Sequence, residues 1–423
     1  MNPASPFSHR SETREPLRCL FPKMAPTRVT RILRVALLCL LLGGLLGTTG
    51  GTATASGQET PSPFARAGMW IWYIESSQGG DLDRIIRRAR ASKIRTLYIK
   101  SADGTGTWRQ FTKSTVSRLQ RAGLKVCGWH YVYGRSPVAE ARASAFAKRQ
   151  GADCFVIDAE TEYEGNYAGA DRYVRKLRSL VGPKFPLGLS TFPYVHYHPA
   201  FPYSVFLGPG AADTNLPQVY WKTIGTSVRS SVDITWFHNR LYKRPIHPLG
   251  QTYLRPSRRD LLLFRKYMLA YDAAPSWWSW QETTPLGWKA LASPVARPPA
   301  GYAAVTSHPT FRRGSRGDQV VWVQQHLNGA GIDTPVSGIF GKKTRRAVIE
   351  FQKSRGLKDD GVIGGSTWRQ LLKVRPAKVL WAGARSARSV RAATGRGPGT
   401  VLPGSPAPLS AGLATVRNEL AGR

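Results

Sequence analysis

Asp158 and Glu160 close the apolar run Cys154-Phe-Val-Ile-Asp-Ala-Glu160 with a single residue between them. In an extended strand alternate residues share a face, so Phe155, Ile157 and Ala159 project to one side and Asp158 and Glu160 to the other. Two carboxylates about 7 Å apart along a strand repel each other, and among aromatic rings at least one holds its proton more tightly. That prepares one as a general acid while its neighbour stays ionised. The competing readings are a structural ion pair, with Lys100 as the cation, and a site that binds without reacting. Glu162 has the same parity and is the reserve acid; Glu164, further along the loop, is expected in solvent.

Rings accompany the pair. Trp70, Trp72, Trp129, Tyr131, Tyr133, Tyr220, Trp221, Trp277, Trp278 and Trp280 all fall in strand-like segments or at their ends. Flat rings suit the apolar faces of pyranoses, although about half must face outward because strand residues alternate. Trp221 and Trp280 are the preferred site members by position. Lys100 and Asp103, in Tyr98-Ile-Lys-Ser-Ala-Asp103, are candidate hydrogen-bonding groups for a substrate, with Asp103-Gly104 also readable as a plain turn. His130 reads as a hydrogen-bonded strand histidine or a site residue. His196 and His198 lack a third ligand at recognisable spacing, so no metal and no cofactor is expected. No Gly-x-Ser-x-Gly elbow is present.

These groups need a scaffold that brings strand ends together. Strand patterns fall at 69–74, 96–101, 125–131, 154–159, 187–191, 216–221, 247–253 and 276–281, with helical patterns at 81–91, 113–122, 138–150, 171–181, 228–242, 257–268 and 286–291. Eight strands in βα alternation predict a (β/α)₈ TIM-like barrel, whose sites lie at the carboxyl ends of its strands. An open doubly wound sheet is the alternative, but the glycine-rich phosphate turn expected after its first strand is missing.

The barrel segment resembles the family 25 glycoside hydrolases. The resemblance rests on Asp158-Ala-Glu160, on the Gly128-Trp-His-Tyr131 strand end and on Trp280-Gln281 of the last strand. It implies a lysozyme-like N-acetylmuramidase. Glu160 would protonate the leaving glycosidic oxygen and Asp158 would steady the charge as the substrate's own N-acetyl oxygen attacks. Glu75, Lys100, Asp103, His130, Glu162, Trp221, Trp280 and Gln281 are the candidate substrate-binding residues. The chain departs from the family in its first strand, Met69-Trp-Ile-Trp-Tyr-Ile-Glu75, where Glu75 would stand in for an earlier aspartate, and in Glu282, where the family tends to have an aromatic.

A second signal is a pattern written twice. Gly338-Ile-Phe-Gly-Lys-Lys-Thr-Arg-Arg-Ala-Val348 recurs as Gly361-Val-Ile-Gly-Gly-Ser-Thr-Trp-Arg-Gln-Leu371. The spacing predicts two loop-helix units: glycine pairs in turns of positive φ, an apolar plug between them, and a threonine capping the helix that follows. The earlier segment Val320–Leu327 supplies a third helix. With Arg313–Val320, Phe351-Gln352 and Thr367-Trp368, the segment resembles the peptidoglycan-binding domain type 1; a generic three-helix bundle is the plainer alternative. The resemblance implies attachment to bacterial cell wall.

The rest of the chain sets the context. Arg28, Arg31 and Arg34 precede an apolar run from Val35 to Leu46, then Ala53-Thr-Ala55 offers a small-residue cleavage site. This predicts a secretory signal peptide over 1–55, with Met24 a plausible true start, and no stable membrane span after cleavage. Cys127 and Cys154 remain in the mature chain, as a disulfide or as buried thiols. The 423 residues carry 61 Lys and Arg against 25 Asp and Glu, a formal charge of +36. No basic recognition helix or RNA-binding strand motif accompanies that charge, and no nucleic-acid partner is expected. A polyanionic wall or envelope explains it as well as nucleic acid does, as does a GC-rich codon bias with no function, so charge alone decides little.

The expected organisation is a short linker 56–67, the barrel 68–292, a Pro/Ala-rich linker 293–310, the wall-binding domain 311–373 and a disordered basic tail 374–423. The expected function is that of a secreted, wall-associated protein that binds peptidoglycan and hydrolyses its glycan strands; a non-catalytic saccharide-binding barrel is the alternative.

Overall fold

The computed structural model describes residues 62–381. The expected signal peptide and residues 382–423 of the basic tail lie outside the described residues. Eight parallel strands form a closed barrel: β1 (Gly68–Ile71), β2 (Thr96–Asp103), β3 (Lys125–Val132), β4 (Cys154–Ala159), β5 (Leu187–Thr191), β6 (Thr214–Val219), β7 (Leu249–Gln251) and β8 (Ser276–Trp278). Closure comes from β1, which pairs with β2 through Met69 and Leu97 and with β8 through Gly68 and Ser276. A two-residue strand, Gly106–Thr107, folds back antiparallel on the end of β2.

Helices cover the outside: α1 (Leu82–Ala91), α2 (Lys113–Arg121), α3 (Pro137–Ser144), α4 (Tyr167–Val181), α5 (Val228–Asn239), α6 (Arg258–Ala270) and α7 (Pro285–Ala292). Their starts are written locally. Asp81, Thr112, Ser227, Ser257 and Thr284 each accept a backbone N–H of the first turn, satisfying donors that have no partner inside the helix. Between β5 and β6, where the sequence marks no clear helix, a 3-10 turn at Val195–Tyr197 and a single α-helical turn at Tyr203–Phe206 form. At Gly128 a Cβ would lie 2.5 Å from that of Ala147, so glycine lets the turn Phe146–Arg149 close on β3.

Cys127 and Cys154 are register partners on β3 and β4 and are joined by a disulfide. Their separation of 27 residues implies a loss of roughly 3–4 kcal/mol when the bond is removed, on the loop-entropy account. Thermal melts of Cys127→Ser/Cys154→Ser beside the oxidised protein should show a lower Tm; unchanged melting would refute a stabilising bridge.

The C-terminal domain has three helices, α8 (Asp318–Gly329), α9 (Lys342–Ser354) and α10 (Gly365–Leu371). The repeated pattern forms two like loops, with Gly338 and Gly361 at φ 71° and 72°. Phe340 and Ile363 plug the core. Two expectations need correction. The second glycines, Gly341 and Gly364, are extended N-caps without positive φ, and neither threonine caps its helix. Each threonine is instead tied to its loop by a glutamine from the preceding helix. Gln324 Nε2 donates to Thr344 Oγ1 and to the Ile339 carbonyl, while its oxygen accepts Gly338 N–H. Gln352 does the same for Thr367, Val362 and Gly361.

This domain is seated on the barrel. Asp318 is wholly buried and accepts four hydrogen bonds from it: Tyr167 Oη at 2.9 Å, Tyr242 Oη at 2.8 Å, and Ser204 N and Oγ at 2.9 and 2.7 Å. Trp322 Nε1 donates to the Leu241 carbonyl at 2.8 Å. The stretch 293–310 forms no helix or strand, yet Tyr302 donates to Asp233 at 2.6 Å and packs on Tyr267. Residues 374–381, expected to begin the disordered tail, are also ordered by packing. Ala377 N–H bonds the Gln325 carbonyl, and Trp381, 2% exposed, lies against Tyr167.

Candidate active site

The carboxyl end of β4 places Asp158 and Glu160 at the barrel mouth, 5% and 1% exposed. Both face one side chain of β6. Gln218 Nε2 directs its two N–H bonds toward three acceptors, Asp158 Oδ1 at 3.0 Å, Glu160 Oε1 at 3.1 Å and Ser190 Oγ at 3.2 Å. The wall around them is tryptophan. Trp129 and Trp278 meet edge-on at 5.3 Å, with Trp70 at 5.6 and 5.9 Å on one side and Trp72 at 5.6 and 5.7 Å on the other. Trp70 Nε1 is fixed by Ser276 Oγ and Trp129 Nε1 by the Ile71 carbonyl, whereas buried Trp72 Nε1 has no hydrogen-bond partner among the described residues. Tyr220 completes the lining. The free space is about 10 Å³, room for one water.

Lys100 stands beside this box, ion-paired to Asp103 at 2.6 Å, with the rings of Trp72, Trp108 and Trp129 at 4.0, 4.6 and 4.9 Å. Tyr133 Oη donates to Asp103, and Tyr131 Oη donates to Glu162 at 2.7 Å, holding that exposed carboxylate at the rim.

The other expected residues do not converge there. β1 stops at Ile71, so Glu75 is exposed four residues beyond and lines a separate groove with Tyr73, Trp108 and Arg109. His130 faces the helices, with Nδ1 2.8 Å from Ser144 Oγ; burial pushes it down to about 3, so it is neutral. β6 ends at Val219 and a helical turn begins at Trp221, which turns that ring out onto Phe264. β8 ends at Trp278, and Trp280 packs on Trp288 of α7. Gln281 is a brace, donating to the Tyr73 carbonyl and Ser77 Oγ. Glu164, expected in solvent, meets His198 Nδ1 at 2.7 Å.

Gln218 and Ser190 were missed by sequence reasoning. Their signal is present: each is a polar residue at an inward position of a short, otherwise buried strand, in Thr214-Asn-Leu-Pro-Gln-Val219 and Leu187-Gly-Leu-Ser-Thr191.

Comparison with known proteins identifies one part of the chain. Residues 316–371 match the family model "Putative peptidoglycan binding domain". An uncharacterized protein encoded in the bpoA1 3′ region of Kitasatospora aureofaciens is 41% identical over 73 residues, 17% of this chain and 60% of that protein. The chain thus spans less than two thirds of this relative. Among solved structures, the Bacillus cereus spore cortex-lytic enzyme SleL is 12% identical, with 53% of this chain and 73% of that one covered at a TM-score of 0.41. A family 25 glycosyl hydrolase from Bacillus anthracis is 15% identical, with 36% and 69% covered at 0.26. A dihydrodipicolinate synthase from Bacteroides thetaiotaomicron is 13% identical, with 51% and 70% covered at 0.35. Likenesses of this order carry no argument about the barrel's chemistry.

Proposed function

We propose that this is an exported protein that holds peptidoglycan through its C-terminal domain and hydrolyses glycan strands at the barrel mouth. Glu160 is the general acid and Asp158 steadies the charge that develops opposite it. The observation that carries this reading is the shared donor: one amide nitrogen at hydrogen-bond distance from both carboxylates. Two oxygens at 3.0 and 3.1 Å from one nitrogen are at most about 6 Å apart, close enough for both carboxylates to face one glycosidic bond. The tryptophan wall supports a sugar substrate, since rings match the apolar faces of pyranoses.

The lined space is too small for a pyranose, so a glycan must displace a ring on entry. Trp72 stands at the rim, 9% exposed, and its movement breaks no indole hydrogen bond. The same small space favours a second reading, a chain that holds the wall through its C-terminal domain and does not cut it. Incubating the full chain with insoluble peptidoglycan and measuring new reducing ends separates the two. Retention with no release supports the second and defeats the first.

Gln218→Met keeps the volume and removes the donor. The expected result is a 10- to 100-fold lower kcat with KM little changed and a displaced limb of the pH–rate profile, on the order expected when an acid's positioning is lost. A normal profile would mean that Gln218 only fills space.

A further inference from the structure

Where the C-terminal domain meets the barrel lies a cleft of about 590 Å³, within the range of small-ligand sites. Neither part makes it alone. One wall is α4 with the loop 204–211; the other is Gln325 of α8 and the segment 375–381. That segment is held across the end of α8, where Gly329 leaves room for the Arg375 carbonyl: a Cβ there would lie 2.0 Å from it. Trp381 then anchors the segment on Tyr167 of the barrel.

Two buried acceptors line the cleft without partners among the described residues. Asp171, 6% exposed, uses Oδ1 for Arg175 at 3.1 Å and leaves Oδ2 without a hydrogen bond; Gln325, 5% exposed, leaves Oε1 so. Buried polar atoms are rarely left unsatisfied, so two at one junction point to something that binds there. The cations complete the description. Arg178 is committed to Asp213 and to the carbonyls of Ala211 and Phe185. Arg375 and Lys378 are exposed at the rim and make no ion pair among the described residues.

We propose that this cleft binds a short acidic peptide of the kind that peptidoglycan stems carry, its carboxylates on Arg375 and Lys378 and its N–H donors on Asp171 Oδ2 and Gln325 Oε1. The proposal rests on the wall-binding reading of the C-terminal domain. A wall phosphate polymer satisfies the cations but brings no N–H group, and it sets phosphate against the Asp171 carboxylate. A stem peptide supplies both signs of complement. Val174, Pro376 and Val379 offer apolar contact to its small side chains.

The test uses the full chain and a stem tetrapeptide released from peptidoglycan by an amidase, titrated by calorimetry. Poly(glycerol phosphate) and amidase-stripped glycan serve as comparison ligands. The expected result is saturable tetrapeptide binding, weakened roughly tenfold or more by Arg375→Glu/Lys378→Glu and weakened by Asp171→Asn, with retention on stripped glycan unchanged. Both reversed residues are exposed, so the variant keeps the fold. The proposal is overturned if intact peptidoglycan is retained but the tetrapeptide does not bind, if the double variant binds it equally well, or if the phosphate polymer alone shows the double variant's loss. Failure of the full chain to bind intact peptidoglycan defeats the wall-binding reading instead, and the tetrapeptide titration still decides the cleft.

Discussion

Glu160→Gln should lower the rate of glycan hydrolysis on the order of 10³-fold while leaving retention on peptidoglycan intact. The substitution is nearly isosteric, and the amide oxygen still accepts the Gln218 bond that Glu160 Oε1 accepts at 3.1 Å. What disappears is the transferable proton. KM should stay within a fewfold, because the surrounding rings carry the apolar contact with the sugar. Asp158→Asn should also cut kcat, through loss of the charge that stands opposite the developing cation. Reducing-end release from the full chain and each variant is the measurement. If Glu160→Gln hydrolyses normally, Glu160 is not the acid, and Glu162, held at the rim by Tyr131, becomes the carboxylate to replace next.

Asp318→Ala should unseat the C-terminal domain. The change leaves two tyrosine hydroxyls, a serine hydroxyl and a backbone N–H buried without their acceptor. A buried donor left unsatisfied costs about 1–3 kcal/mol, so losing the shared acceptor of four costs on the order of several kcal/mol. Tyr167 and Tyr242 cannot relieve the loss by ionising, since burial, the largest cause of their raised values, persists when Asp318 is gone. Small-angle scattering should report a larger radius with unchanged helix content, and the stretch 293–310 should become sensitive to protease. An unaltered radius would show that the remaining contacts hold the domain without Asp318.

The same carboxylate makes the junction sensitive to pH in a defined direction. Burial pushes Asp318 up to about 6, against 3.8 for the free group. The seated state therefore holds the proton more tightly, and its advantage is fullest below about 3.8 and lost as pH rises through about 6, a swing of roughly 3 kcal/mol. His238, His247 and His326 act oppositely. Burial pushes each down to about 4, so their contribution is present above 6.5 and falls away on acidification. Comparing Tm for the parent and Asp318→Asn from pH 4 to 7 isolates the aspartate. The parent should gain relative to the variant as pH falls, and a constant difference would contradict the assignment.

The barrel was legible because its code is periodic. Capping residues sit just ahead of buried helical stripes, and each expected strand overlaps an observed one. The Asp158 and Glu160 face followed from alternation alone. Strand ends were harder, because alternation does not say where pairing stops. Carrying β6 and β8 a few residues too far assigned Trp221 and Trp280 to the mouth instead of Trp278, and extending β1 assigned Glu75. Gln218 was passed over since an amide carries no charge to draw notice, and its importance lies in what converges on it from other strands. The seating of the C-terminal domain was illegible for a related reason. Asp318 reads locally as an acidic first-turn residue, favourable at a helix start. Its three partner residues lie between 76 and 151 positions away in sequence.

A seated domain also sets a length scale. With both parts in one compact unit, the distance from the wall-binding surface to the carboxylate pair is built in rather than sampled by a loose linker. On the proposed function the molecule is a caliper. Glycans long enough to touch both points gain from the second contact; shorter ones engage a single point and gain nothing. Turnover plotted against oligosaccharide length should rise in a step at the built-in span, and loosening the junction at Asp318 should flatten that step into a slope.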